Sequence, residues 1–420
     1  MANINPFEIK AKKVESSFRS WKQLTKVPYD KNEVDPYTKV RIILMNGTEF
    51  EANWCKHNIF RHVTDNDLRR DLALLRRVEQ QQQKALASLK PKDENLLEHT
   101  ISYEQLAVDL TAIMAQNEKD RKVKKALDFA LLEDFDHLYR FSDLLEMEQG
   151  VQGERLVGSY TEIMPGRPTI SEHRFPTDDV KCRIDNKKAD PLTVLNTCII
   201  TAAEQQTMNY YMNVGTFHPT EMGRKLFNEI AMIEEQHVSQ YGSLMDSSTT
   251  FLECLLLHEY TECYLYYSMY EDETDKNVKQ VWEQHFYDEI AHLHYAENML
   301  KKYENKEREQ VIPNPTFPTL LSFNKNIKNN KAYVREVLKN TVFNTAYQED
   351  YKPVCELDDN YQFFKYNRTV NGNDKEVASH VVIKEYIDKN GKDYRFEEKP
   401  HPIKQLKDRH EDNTSVGREC

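Results

Sequence analysis

Four of the fourteen histidines carry an acidic residue three positions earlier: Asp134/His137, Glu234/His237, Glu289/His292 and Glu398/His401. Acidic residues fill about one position in six, so roughly two such pairs would arise by chance. What lies upstream separates them. Thirty residues before the acidic member of the first three pairs stands a glutamate, Glu104, Glu204 and Glu259, whereas the fourth pair has Arg368 there. On a helix, positions i and i+3 project from one face, so each acidic-x-x-His aims a carboxylate and an imidazole at one point. A residue near the middle of one helix and another near the middle of its antiparallel partner are separated by two half-helices and a turn, which fits thirty residues. A large apolar residue seven before the acidic member (Leu127, Phe227, Trp282) and another four after it (Leu138, Val238, Leu293) recur in all three stretches. The pattern predicts three copies of one helical hairpin.

The neighbours of these carboxylates are apolar. Glu104 shares a stripe with Leu97, Ile101 and Val108, Glu204 with Ile200, Met208 and Tyr211, and Glu259 with Leu252, Leu255, Leu256 and Tyr266. Asp134 aligns with Leu127, Leu131, Leu138 and Phe141, Glu234 with Phe227, Ile230 and Val238, and Glu289 with Trp282, Phe286 and Leu293. An ionised carboxylate on a core-facing stripe is costly unless a cation or several donors compensate it. Repeated carboxylate with imidazole suits iron, manganese or zinc better than calcium or magnesium. Nine residues are therefore candidate metal ligands: Glu104, Asp134, His137, Glu204, Glu234, His237, Glu259, Glu289 and His292. Glu133, at i−4 from His137, is an alternative to Asp134, and Glu262, one turn after Glu259, is a reserve ligand. Tyr211 and Tyr266 occupy equivalent positions two turns after Glu204 and Glu259.

With these residues the sequence resembles the ferritin-like superfamily of di-iron and di-manganese carboxylate proteins, such as rubrerythrins, bacterioferritins and manganese catalases, over roughly Leu96 to Tyr303. In that superfamily two helices each give one Glu and two give Glu-x-x-His. The resemblance implies a mainly α fold, a ferritin-like antiparallel helix bundle, holding two metal ions, iron or manganese. The implied activity is that of an oxidoreductase working with dioxygen or peroxide, with metal storage or a structural bundle with a degenerate site as alternatives. Implied partners are a small-molecule oxidant or substrate, with a separate electron donor and homodimerisation left open. The chain departs from the family in having three such stretches rather than two, Asp134 in place of Glu, and no rubredoxin module. One bundle needs two hairpins. A long crossover at Gly150 to Lys188 favours a site from Glu104, Asp134, His137, Glu204, Glu234 and His237, while the intact Glu-x-x-His pairs favour Glu204, Glu234, His237, Glu259, Glu289 and His292. Both sets stay open at the level of sequence.

The elements that must position these residues follow from periodicity and punctuation. Helices are expected over Leu96 to Gln116, Arg121 to Glu148, Pro191 to Asn213, Glu221 to Ser243, Phe251 to Tyr270 and Asp275 to Tyr303, with Asp190-Pro191 as a start signal. An earlier helical segment from Asp67, rich in Gln and without histidine, is expected to pack or cover. Thr38 to Trp54 has apolar runs on either side of Asn46-Gly47, a strong short hairpin signal, and predicts a small β element. The expected domains are residues 1–65 with this β-hairpin, a ferritin-like helical domain over 66–304 (hairpins 95–148, 190–243 and 250–303, connection 149–189), and an irregular extension over 305–420. That extension is expected to hold a short helix near Ala332 to Thr341 and a strand at His380 to Ile387.

Composition narrows the function class. The formal net charge is −12 and the isoelectric point near 5.7, against nucleic acid or an anionic membrane surface as main partner. No stretch of eighteen apolar residues and no apolar leader follow from the sequence, which gives a cytoplasmic expectation. Seven scattered cysteines, Cys55, Cys182, Cys198, Cys254, Cys263, Cys355 and Cys420, form no C-x-x-C pair and predict neither a disulfide framework nor a zinc ribbon.

Overall fold

Helix start signals recur along the chain. Asp35, Asp65, Asp120 and Asp275 each accept hydrogen bonds from backbone amides of the first helical turn, and Thr250 with Glu253 forms a capping box. In the computed structural model, which describes residues 4–163, 180–340 and 388–389, these caps open long helices. The helices are α1 (Trp21–Leu24), α2 (Pro36–His62), α3 (Asn66–Ala87), α4 (Leu96–Asn117), α5 (Arg121–Gln149), α6 (Glu154–Val157), α7 (Pro191–Val214), α8 (Glu221–Leu244), α9 (Phe251–Asp272), α10 (Lys276–Glu304) and α11 (Ile327–Asn340). Asp190 accepts from the Leu192 amide at 3.0 Å, so the Asp190-Pro191 signal opens α7 as expected. Gly150, at φ 66°, and Asn305, at φ 52°, close α5 and α10 in the left-handed conformation that ends many helices.

The protein is mainly α, and the described residues contain no strand. The β element expected over Thr38 to Trp54 is helical instead, the interior of α2. Two physical facts account for this. From Tyr37 to Met45 every residue of α2 is buried, so no 3.6-residue stripe marks the helix. Gly47 serves close approach rather than a turn, since a Cβ at that position would run into the Gln206 side chain. The strand expected at His380 to Ile387 lies outside the described residues, and the helix expected near Ala332 to Thr341 is α11.

The chain divides into two compact units. The first comprises the described residues up to Asn95, Ile184–Gln206 and Met245–Lys325, and the second comprises Leu96–Arg183, Thr207–Leu244 and the residues from Asn326, as far as they are described. In the first unit α2 packs on α3 and α9 on α10, while α2 also meets α9 and α3 meets α10. That circuit is a four-helix bundle. In the second unit α4 packs on α5, α5 on α8, and α11 lies against α4 and α5. Helix α7 passes from the first unit into the second at Thr207.

Polar residues buried in the first unit are tied down in pairs. Arg41, 0% exposed, binds Asp272 at 2.8 Å and Glu273 at 3.3 Å. Lys39 binds Glu94 at 3.1 Å. The N-terminal segment is fastened to α10 through Asp288, which receives Lys12, Arg19 and, at 2.7 Å, the Ser17 hydroxyl. Five described cysteines, Cys55, Cys182, Cys198, Cys254 and Cys263, are free thiols, and Cys355 and Cys420 lie outside the described residues. Among the described residues no helix is long and apolar enough to cross a membrane.

Candidate metal centre

In the second unit, α5 and α8 bring two acidic-x-x-His pairs face to face. Asp134, His137, Glu234 and His237 are all buried, with Glu104 beside them on α4. The two Glu234 oxygens are divided between two imidazoles: Oε1 lies 2.9 Å from His137 Nδ1 and Oε2 lies 3.1 Å from His237 Nδ1. The other nitrogen of His237 meets Glu133 at 2.7 Å, and its Nδ1 lies 3.6 Å from Asp134 Oδ1. Glu133 and Asp134 therefore both belong to the cluster, where sequence offered them as alternatives. His137 Nδ1 lies 4.0 Å from Glu104 Oε2, and Glu104, His137 and Glu234 each offer a ligand atom within 4.8 Å of the others. His137 Nε2 is buried without a hydrogen-bond partner.

The electrostatics follow from burial and these contacts. Burial alone would raise the Glu234 carboxyl, but His137 and His237 outweigh it and hold the group well below the usual carboxylate range. Tyr211 donates its O–H to Glu104. Burial, followed by the Glu104 and Glu234 charges, pushes the Tyr211 phenol well above its ordinary value, so it remains a donor. Phe141 and Phe227 pack against the Tyr211 ring at centroid distances of 5.2 and 5.7 Å and keep this end of the cluster dry.

Glu204 is buried on α7, three residues before the helix enters the second unit, and stands two turns ahead of Tyr211 on the same helix face. The remaining expected ligands, Glu259, Glu289 and His292, lie in the first unit with α2 and α3 as bundle neighbours. Neither six-residue set from the sequence stays within one unit. Helices α5 and α8, which carry Asp134/His137 and Glu234/His237, meet in the second unit, whereas Glu234 and Glu289 belong to separate units.

The first unit contains a second buried cluster whose α2 and α3 members sequence reasoning missed. Glu49, Glu79, Glu259, Glu262, Glu289 and His292 are all 0% exposed. His292 Nδ1 lies 3.0 Å from Glu289 and 3.8 Å from both Glu79 and Glu259. The Lys56 ammonium, equally buried, pairs with Glu79 and, at 2.7 Å, with Glu259. Gln82 donates its amide to Glu289, and Tyr266 donates its O–H to Glu49 while lying 3.1 Å from His285 Nδ1. The segment from Asp67, expected to pack or cover, thus supplies Glu79 and Gln82 to the interior.

A signal for this cluster was present in the sequence. Glu49 stands thirty residues before Glu79, the spacing already shared by Glu104/Asp134, Glu204/Glu234 and Glu259/Glu289, and Leu72 holds the apolar position seven before Glu79. The four upstream glutamates are separated by 55, 100 and 55 residues. Gln82 occupies the position where the other three stretches have histidine, so a search for acidic-x-x-His passes over it. The side chains seven residues after the upstream glutamates are Lys56, Thr111, Tyr211 and Tyr266. In each unit the tyrosine binds the upstream glutamate of the other stretch: Tyr211 binds Glu104 and Tyr266 binds Glu49.

The charges in this cluster are strongly displaced. Burial raises Glu49 and Glu262 well above the usual carboxylate range and also raises Glu79, while Glu259, raised by burial and partly held down by Lys56, reaches about 7. Burial opposes the charge of His292, yet Glu289, Glu259 and Glu79 bring it up to about 9. Burial also opposes the Lys56 ammonium, and Glu259 and Glu79 more than offset it. No protein-family model, curated protein or solved structure matches this chain.

Proposed function

We propose that the second unit binds two metal ions, iron or manganese, on Glu104, Glu133, Asp134, His137, Glu234 and His237 and carries out redox chemistry with dioxygen or peroxide. We propose further that the four thirty-residue stretches are copies of one ferritin-like hairpin. The observation that carries the metal reading is Glu234, whose two oxygens face imidazoles from different helices inside a buried core. Four carboxylates carry four negative charges. Two imidazolium ions would leave two of them uncompensated, whereas two divalent ions neutralise all four, and the mixed nitrogen and oxygen donor set suits iron or manganese. His137 Nε2, buried without a partner, is a donor atom for which the protein itself provides nothing.

Bound metal would supply the electrons and Lewis acidity that an oxidant requires. The chain's own residues do the rest. Tyr211 fixes the Glu104 carboxylate by a hydrogen bond, Glu133 orients His237 through Nε2, and Phe141 and Phe227 exclude water from the tyrosine side. Ligation requires neutral imidazoles, so metal uptake by the His137/Glu234/His237 group should weaken as pH falls.

The test is elemental analysis of protein purified without chelator, beside the variant His137→Ala/Glu234→Ala, with circular dichroism as the folding control. Loss of two equivalents of iron or manganese from a folded variant, together with loss of peroxide or dioxygen consumption, is expected. Equal metal content in both proteins would refute the assignment.

A further inference from the structure

The first unit presents a carboxylate cluster with an organic cation already inside it. Lys56 Nζ sits on Glu79 and Glu259, and no part of the residue reaches solvent. On the other side of Glu259, the ligand oxygens of Glu259, Glu262 and Glu289 lie within 4.8 Å of one another. Neither oxygen of Glu262 has a hydrogen-bond partner, and the residue is 0% exposed. Its basic neighbour His258, with Nε2 at 3.5 Å, forms no hydrogen bond with it. A buried carboxylate with both oxygens unsatisfied and aimed at two further carboxylates points to a cation.

The composition of the cluster agrees: five buried carboxyl groups, Glu49, Glu79, Glu259, Glu262 and Glu289, surround one lysine and one histidine, Lys56 and His292, and the Tyr266 hydroxyl already donates to Glu49. The second unit provides an internal comparison. At the position of Lys56, seven residues after the upstream glutamate, it has Thr111, whose short buried hydroxyl carries no charge and makes no hydrogen bond. Where the first unit has Gln82 on Glu289, the second has His137 on Glu234.

We infer that the first unit is a second metal centre that takes a single divalent cation on Glu259, Glu262 and Glu289, while the Lys56 ammonium permanently fills the neighbouring cation position on Glu79 and Glu259. The ligands of the single ion are all carboxylate oxygens, which selects an oxygen-preferring ion of the manganese(II) class over the softer, nitrogen-preferring ions.

The experiment uses the full chain, stripped with chelator and dialysed against manganese(II), with bound metal counted by elemental analysis. Glu262→Gln keeps the shape and is expected to bind one ion fewer than the native protein. Lys56→Met opens the second position and is expected to bind one ion more. Both variants are checked by circular dichroism, and if Lys56→Met alone fails to fold, Lys56→Met/Glu49→Gln, which removes a negative charge as well, replaces it. Native metal content in Glu262→Gln would overturn the single-ion site, and native content in the folded lysine variant would overturn the role given to Lys56. The reading of the second unit fails separately, through an unchanged metal count in His137→Ala/Glu234→Ala.

Discussion

Replacing Lys56 by methionine keeps the side chain out to its Cε and removes the ammonium, and the structure sets the size and pH dependence of the result. Lys56 is fully buried and bonded to two carboxylates, Glu79 and Glu259. Removing one partner of a buried ion pair costs about 3–5 kcal/mol, because the remaining charge is left uncompensated. For a unit of 150–250 residues each kcal/mol moves the melting temperature by about 2–4 °C, so the metal-free variant should melt about 6–20 °C lower. The loss depends on pH. Glu259 titrates near 7 even beside the lysine, and Glu79 is also raised. Without Lys56 both move further above their unfolded values. A carboxyl whose folded pKa is raised contributes stability that is complete below the unfolded pKa and disappears as pH rises through the folded one. The deficit should therefore be small at pH 5, where both carboxyls can be protonated, and large at pH 8. Calorimetric or circular-dichroism melts of chelator-stripped protein at the two pH values measure it, and Lys56→Met/Glu79→Gln should recover part of the loss at pH 8. A variant that melts within about 1 °C of the native protein at pH 8, or that loses equally at both pH values, would refute the charge-compensating role of Lys56.

Tyr211→Phe and Tyr266→Phe each remove the hydroxyl donated to a buried glutamate, Glu104 or Glu49. Each should lower stability by about 1–3 kcal/mol, the cost of an unsatisfied buried acceptor, read as a lower urea midpoint at unchanged slope. Gly47→Ala should destabilise although alanine is favoured over glycine in a helix by about 1 kcal/mol, because the new Cβ meets the Gln206 side chain. Gly47→Ala/Gln206→Ala should melt above Gly47→Ala alone, and a single variant more stable than the native protein would disprove the close-approach explanation.

The six helices assigned from periodicity appear in the structure, with ends within two or three residues of the expected ones. They were legible because each has an amphipathic face and a chemical start signal, as at Asp120, Asp190 and Asp275. Helix α2 was not legible because it breaks both rules of thumb at once. Its first half is buried all round, so apolar periodicity vanishes, and it contains Asn46-Gly47, which looks like a turn when only local sequence is considered. Its glycine is explained by Gln206, a residue 159 positions away. The start signal was nevertheless there in Asp35-Pro36, the same pair of residue types that opens α7. In the same way, Glu133 and Asp134 could not be ranked from spacing, since i−3 and i−4 both face a helical histidine, and the structure places both in the His237 environment.

Two positions at which the missed α2/α3 stretch differs from the other three, Gln82 and Lys56, are chemically linked. A histidine opposite a glutamate serves in two capacities: it donates a hydrogen bond and, when protonated, supplies positive charge. In the second unit His137 can do both for Glu234. In the first unit the amide of Gln82 keeps the hydrogen bond to Glu289 and cannot carry charge. A cation is then required from elsewhere, and Lys56 supplies it within the same cluster, on Glu79 and Glu259. Gln82 without Lys56 leaves five buried carboxyl groups facing His292 alone, and Lys56 beside an intact pair of histidines would occupy carboxylates that a metal needs. Gln82, at the position where the other three stretches have histidine, is why the motif search that found three stretches passed over the fourth. The thirty-residue glutamate spacing, which depends on helix length rather than on ligand identity, still marks all four.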